Sequence, residues 1–241
     1  MHSGGEQSLI SNIEALRQTL LKCLTALCAG GLFTLFIAPD FLNLLIKIIT
    51  QGNDVCFNFF SPAEVFLIQL KIALLLDVMI CFPYIAKQIW DFILPALYDN
   101  EKTFIKKIVF SSSVLFVLGI LFCIFIVMPF VMNFGLSFAA ANLNPVFGIS
   151  NIINLTLWMS VSFGLMFQFP LITIALIKNG IMSYKTISDK RPYVIVIILI
   201  LAAVFTPPDI ISQLMLVIPA YLLFELGLLA SRPRKQVHSD S

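Results

Sequence analysis

Six polar or ionisable side chains lie within, or at the ends of, long apolar runs of this chain: Glu64, Lys71, Asp77, Gln168, Asp209 and Glu225. Ionisable groups are expensive in hydrocarbon and normally face a bundle interior or a polar cavity. Their available chemistry is hydrogen bonding and ion pairing, which suits recognition. Glu64 and Lys71 are near one helix face, and Lys71 can snorkel toward the Glu64 level. Asp77 and Gln168 fall at similar depth, where a hydrogen bond between them would lower the cost of both. Gln168 also suits a polar docking point for another helix. Glu225 sits near the end of the last run, where headgroups can solvate it.

Bond-making chemistry is poorly supplied. His2 and His238 sit at the two ends of the chain, which removes a buried histidine relay. Cys23, Cys28, Cys56, Cys81 and Cys123 form no C-x-x-C pair, so neither a disulfide framework nor a zinc site is expected. There is no G-x-x-x-x-G-K-[ST] phosphate loop and no G-x-S-x-G nucleophile elbow. No cofactor, no metal and no enzymatic activity follow from these residues.

The elements that position them are apolar helices. The chain has 241 residues, 59% hydrophobic and 12% charged, whereas soluble domains are about 25% charged. Its net charge of +2 is too small to argue nucleic-acid binding. Apolar spans are expected at approximately 19–38, 65–86, 108–128, 155–177, 193–206 and 213–230. They form one integral membrane domain over 1–241, with 231–241 a tail. A backbone in lipid must satisfy its own hydrogen bonds, so the spans are helices. Thirteen of the fifteen Lys and Arg residues fall on one side of these spans; Lys47 and Lys71 are the others. Basic residues mark the cytoplasmic side, which predicts six crossings with both termini inside.

The span 193–206 is short. At 1.5 Å per residue it reaches roughly 21 Å, against about 30 Å of hydrocarbon. Pro83, Pro129, Pro170 and Pro219 sit late in spans or at their ends, and bend or interrupt helices. A concave, all-α bundle with two short C-terminal spans is expected. Two apolar outer loops, near 39–64 and 129–154, should cap it. Trp90 in the inner loop is expected to be an interfacial anchor. The N-terminus carries Glu6 and Glu14 and lacks a small-residue cleavage site, which reads as a retained anchor.

Several strings then point to one family. The inner loop reads Gln88-Ile-Trp90-Asp-Phe92-Ile-Leu-Pro95-Ala-Leu97-Tyr98-Asp-Asn-Glu101-Lys102. It is similar to Q-x-W-x-F-x-x-P-A-L-Y-x-x-E-[RK]. Ser61-Pro62-Ala63-Glu64-Val65-Phe66 with Lys71, Gly119-x-x-Phe122-x-x-Phe125-x-x-x-Pro129, and Phe167-Gln168-Phe169-Pro170 are in register with it. So are Lys190-Arg191-Pro192-Tyr193, Thr206-Pro207-Pro208-Asp209-Ile-Ile-Ser212-Gln213, Pro219 and Phe224-Glu225. From about Leu9 to Glu225 the chain resembles the C subunit family of the twin-arginine protein translocase, TatC. Three departures stand out, one of them Asp77, where a small or neutral residue is expected. The family's E-L-R reads Ala15-Leu16-Arg17 here, with Glu14 one residue early, about 100° around the helix. Its tyrosine before Gln88 is Lys87.

The resemblance implies a receptor in the inner (plasma) membrane, or in an organellar membrane. Such a receptor binds twin-arginine signal peptides of folded cargo, recruits the single-span subunits TatA and TatB, and works in a complex driven by the proton-motive force. More than one copy per complex is expected. A carboxylate reads an arginine through parallel hydrogen bonds. The resemblance therefore places signal-peptide binding at Glu101, with Glu14, Arg17, Phe92 and Leu97. Partner docking falls to Gln168, Asp209, Ser212 and Gln213. Structural roles fall to Pro95, Glu64, Lys71, Pro83 and Pro170. The residues alone leave other uses open: Glu101 can pair with Lys102 or Lys106, and Asp209 can cap the last helix. A carrier for a small solute, lined by Asp77, Gln168 and Lys71, is the alternative class; the inverted repeats that would favour it are not seen.

Overall fold

A computed structural model describes residues 3–51, 56–93, 102–137, 146–178, 180–205 and 210–232. In chain order these form α1 (Ser3–Thr50), β1 (Cys56–Asn58), α2 (Pro62–Ile93) and α3 (Lys102–Phe122), then a π-helical turn (Cys123–Val127) leading into α4 (Met128–Ser137). They continue with β2 (Val146–Gly148), α5 (Ile149–Met166), α6 (Phe169–Lys178), α7 (Tyr184–Asp189), α8 (Arg191–Phe205) and α9 (Ile210–Ala230). The molecule is an all-α membrane protein, with only those two short strands among the described residues.

Among the described residues, five segments are long and apolar enough to cross a membrane: Ile13–Thr50, Pro62–Asp91, Lys106–Ser137, Ile149–Lys178 and Gln213–Ala230. The remaining apolar segment, Arg191–Val204, falls short of that length. At 15 residues, α8 spans roughly 22 Å.

Helices run further than the apolar runs suggest. α1 continues through Pro39 to Thr50, so the first outer loop is shorter than 39–64. The reason is packing: Leu42, Leu45 and Ile49 recur at helical spacing and are all buried. The same holds at the C-terminal end of α2. Phe82, Ala86 and Trp90 stand one turn apart on one buried face, so Trp90 belongs to the core and is not the interfacial anchor expected of it. The second outer loop shrinks too, because α4 carries helix on to Ser137.

The start of α2 is fastened locally. Ser61 Oγ accepts from the Ala63 amide at 3.2 Å, and Glu64 Oε2 accepts from the Phe60 amide at 2.7 Å. Pro62 occupies the first helical position, where its missing N–H costs nothing. The two outer loops are joined by parallel pairing of β1 with β2, in the register Cys56 to Val146 and Asn58 to Gly148. Asn133 Nδ2 donates to Gln51 Oε1 at 3.1 Å beside them.

α1 packs along α2, α2 along α3, and α3 along α5; α9 packs on α6 and α8. α3 is central to the first group. Phe116 stacks on Phe82 of α2, with ring centroids 3.6 Å apart. Gly119 lets the α5 backbone approach so closely that a Cβ there would meet the Phe163 carbonyl oxygen at 2.6 Å. Just beyond, the π turn places a wider turn directly before Pro129, where a regular helix would clash with the ring.

Gly119→Val is expected to destabilise the α3–α5 seam by about 1–3 kcal/mol, the usual cost of overpacking. Gly135→Ala, at a site with open space around it, should be neutral or mildly stabilising. Thermal denaturation of the purified protein in detergent checks both; equal melting temperatures for Gly119→Val and wild type would refute the close approach.

Candidate functional site

The polar residues singled out in the sequence do not form one cluster. They are distributed over three helix seams and the basic ends of the helices.

The first seam is α1 against α2. Asp77 is completely buried there, facing Gly30 and Gly31 of α1. Any side chain at position 30 would overlap the Asp77 carboxyl. Cys81 Sγ donates to Asp77 Oδ1 at 3.2 Å and lies 3.7 Å from the Ala26 carbonyl. Asp77 Oδ2 has no hydrogen-bond partner among the described residues. The expected Asp77–Gln168 hydrogen bond is not formed. Asp77 is turned toward α1, whereas Gln168 is committed to α3.

The second seam, α3 against α5 and α6, explains Gln168. Pro170 has no amide hydrogen to continue the α5 ladder. The helix breaks between Met166 and Phe169, and the Gln168 amide bonds to Leu165 O at 3.0 Å. Its side chain then repairs the break. Nε2 donates to Gly164 O at 3.4 Å and to Ser112 O at 3.1 Å, while Oε1 accepts from Ser112 Oγ at 2.6 Å. Gln168 is therefore a buried cross-brace between the broken span and α3.

The third seam is α2 against α5. Lys71 Nζ donates to Asn154 Oδ1 at 2.7 Å, and Glu64 is engaged with the Phe60 amide. The Lys71 ammonium is held across the helix pair by its bond to Asn154. Asn154, 83 residues away in sequence, gave no signal of this role.

At the basic ends, Glu225 is paired and not left to headgroups. Arg191 Nη2 donates to Glu225 Oε2 at 3.1 Å, and Nε lies 2.7 Å from Oε1 without hydrogen-bond alignment. Tyr221 Oη donates to Glu225 Oε1 at 3.0 Å. The pair is partly exposed, so its contribution is moderate, but it ties the start of α8 to the end of α9. Nearby, Arg232 Nε donates to the Tyr184 hydroxyl at 2.9 Å. Arg191 was missed as a site residue, although it opens α8 and Glu225 lies near the end of α9.

The sites expected to bind other proteins are placed as follows. Glu14 and Arg17 are exposed on α1, one turn apart. Pro95, Leu97 and Glu101 lie outside the described residues, as does the side chain of Phe92. Asp209 and the side chain of Ser212 also lie outside them. Gln213 Nε2 donates to Leu199 O of α8 at 3.3 Å, so it faces the bundle. Pro83 lies within α2, one turn before Lys87. Among the described residues no group of three or more His, Cys, Asp or Glu side chains could hold a metal ion. The arrangement can fasten helices and present charge at their ends.

A fold of this kind has relatives. The family model for the Sec-independent protein translocase protein TatC matches residues 11–219. The TatC protein of Haemophilus influenzae is 34% identical over 94% of this chain and 89% of its own length. That of Escherichia coli K12 is 33% identical over 94% of this chain and 88% of its own length. A crystal structure of the twin-arginine translocase receptor TatC superposes with a TM-score of 0.84 at 30% identity, covering 92% of this chain and 100% of that one. With the helix order and most of the length shared, the chain belongs to the TatC family of Sec-independent protein translocase subunits.

Proposed function

We propose that the chain is the signal-peptide receptor of a twin-arginine translocase. It lies in the inner (plasma) membrane with six crossings and both termini in the cytoplasm. The observation that supports this most is its likeness, over nearly its whole length, to a solved receptor of that system. Glu101 reads an arginine of the twin-arginine pair, with Glu14 as the second carboxylate. Arg17, Phe92 and Leu97 complete the surface. TatB and TatA dock on the C-terminal helices and near Gln168, and the proton-motive force drives transport. Copies of the chain associate within the complex.

A carboxylate bonded to a guanidinium contributes about 1.5–3 kcal/mol, or one to two decades of affinity. Glu101→Ala should therefore weaken signal-peptide crosslinking by roughly ten- to a hundred-fold while the protein stays inserted. Glu101→Asp should keep part of the binding. Unchanged crosslinking in Glu101→Ala would move the arginine site to Glu14 or elsewhere.

Gln168 braces α3, so a partner that uses it must compete with Ser112. Polar contacts in membranes average near 0.6 kcal/mol and reach about 1–2. Gln168→Leu should weaken partner crosslinks without loss of signal-peptide binding, and Asp209→Asn or Gln213→Leu should disturb assembly at α8 and α9. Wild-type crosslinks in all three variants would place the docking surface elsewhere.

In a Cys-free background, single cysteines at Asn53 and Asn142 should label with an impermeant reagent from outside, and those at Asn100 and Ser188 should not. Accessibility in the reverse pattern would exclude this orientation.

A further inference from the structure

An apolar groove of about 560 Å³ runs between the inner ends of α2 and α3. One wall is a single helical stripe of α3 that starts at Lys106 and continues through Phe110, Val114 and Val117 to Leu118. Pro83 and Lys87 of α2 face it. Phe110 is 72% exposed and Leu118 49%, so among the described residues no element covers their outer faces. The hydroxyl of Ser113 in the wall is spent on the Val109 carbonyl at 2.8 Å. The groove thus has charge at its mouth and apolar surface along its length. Both lysines are exposed, and neither has a carboxylate partner among the described residues.

Length and charge together select the occupant. From Lys106 to Leu118 the stripe rises roughly 18 Å. One leaflet of hydrocarbon is about half of 30 Å, or roughly 15 Å deep. The groove therefore reaches from the headgroup level to about the bilayer centre. A spanning partner helix would need twice that depth; an acyl chain needs only this. Two ammonium groups at the mouth favour an anionic headgroup, as basic pockets between helices on the cytoplasmic side do elsewhere. We propose that this groove is a binding site for one anionic phospholipid, with its phosphate between Lys87 and Lys106 and an acyl chain along Phe110, Val114 and Leu118.

Native mass spectrometry of the full chain in detergent, titrated with phosphatidylglycerol or phosphatidylcholine, tests this. Wild type should retain phosphatidylglycerol preferentially. Each lysine near a headgroup contributes about 1 kcal/mol, so the double variant Lys87→Gln/Lys106→Gln should lose roughly thirty-fold of that preference. The charge-matched control Lys107→Gln/Lys185→Gln lies off the groove and should keep it. Val114→Trp, which fills the groove and leaves both lysines, should lower retention of phosphatidylglycerol. Equal losses in the two double variants would overturn the site, and so would full retention in Val114→Trp. Displacement of the lipid by millimolar inorganic phosphate would make it a phosphate site only. Displacement by a twin-arginine signal peptide, with Val114→Trp abolishing its crosslinks, would assign the groove to the peptide instead.

Discussion

A polar group carried into this bundle is costly unless it finds a partner within the chain, because hydrocarbon offers none. That constraint accounts for the least regular part of the fold. Pro170 interrupts the fourth long span and leaves the ladder incomplete. The Gln168 side chain returns to the Gly164 carbonyl and reaches across to both the hydroxyl and the carbonyl of Ser112. A local defect thereby becomes a link between two spans. The same logic ties Lys71 to Asn154 across α2 and α5, and Arg191 to Glu225 across α8 and α9.

These links sit on a packing scheme in which α3 is shared. It stacks on α2 through Phe116 and Phe82, and lies against α5 at Gly119. Helices so closely applied leave their polar residues few positions, and each seam carries its own small polar contact. Asp77 is the costly case. It is fully buried with Cys81 at one oxygen, and is matched to the absence of side chains at Gly30 and Gly31. A solute path would need these groups to converge, and here Asp77, Lys71 and Gln168 point into three different seams. The distribution suits a scaffold whose working surfaces are its helix faces and ends.

Those ends carry the exposed charge on which the proposed recognition rests. α1 presents Glu14 and Arg17, and α2 and α3 present Lys87, Lys106 and Lys107, all exposed. Family membership makes the chain a transport component, a subunit of a Sec-independent protein translocase.

Much of this was legible in the sequence. Apolar length, scarcity of charge and one-sided lysines and arginines determine an all-helical membrane protein, because lipid allows few other solutions. The strings around Trp90, Gln168, Arg191 and Asp209 determine the family. What the tertiary structure decided is pairing and burial. Ser112 meets Gln168 from 56 residues away and Asn154 meets Lys71 from 83. No local pattern encodes such partners, since they depend on which helices become neighbours and how they are rotated. Trp90 passed from expected interfacial anchor to core residue because α2 continues as helix and places it below Phe82 and Ala86. α1 runs on past Pro39 for a similar reason. Periodicity showed where helices begin to be favourable; the buried faces of Leu42, Leu45 and Ile49, available only in the assembled bundle, determined where they end.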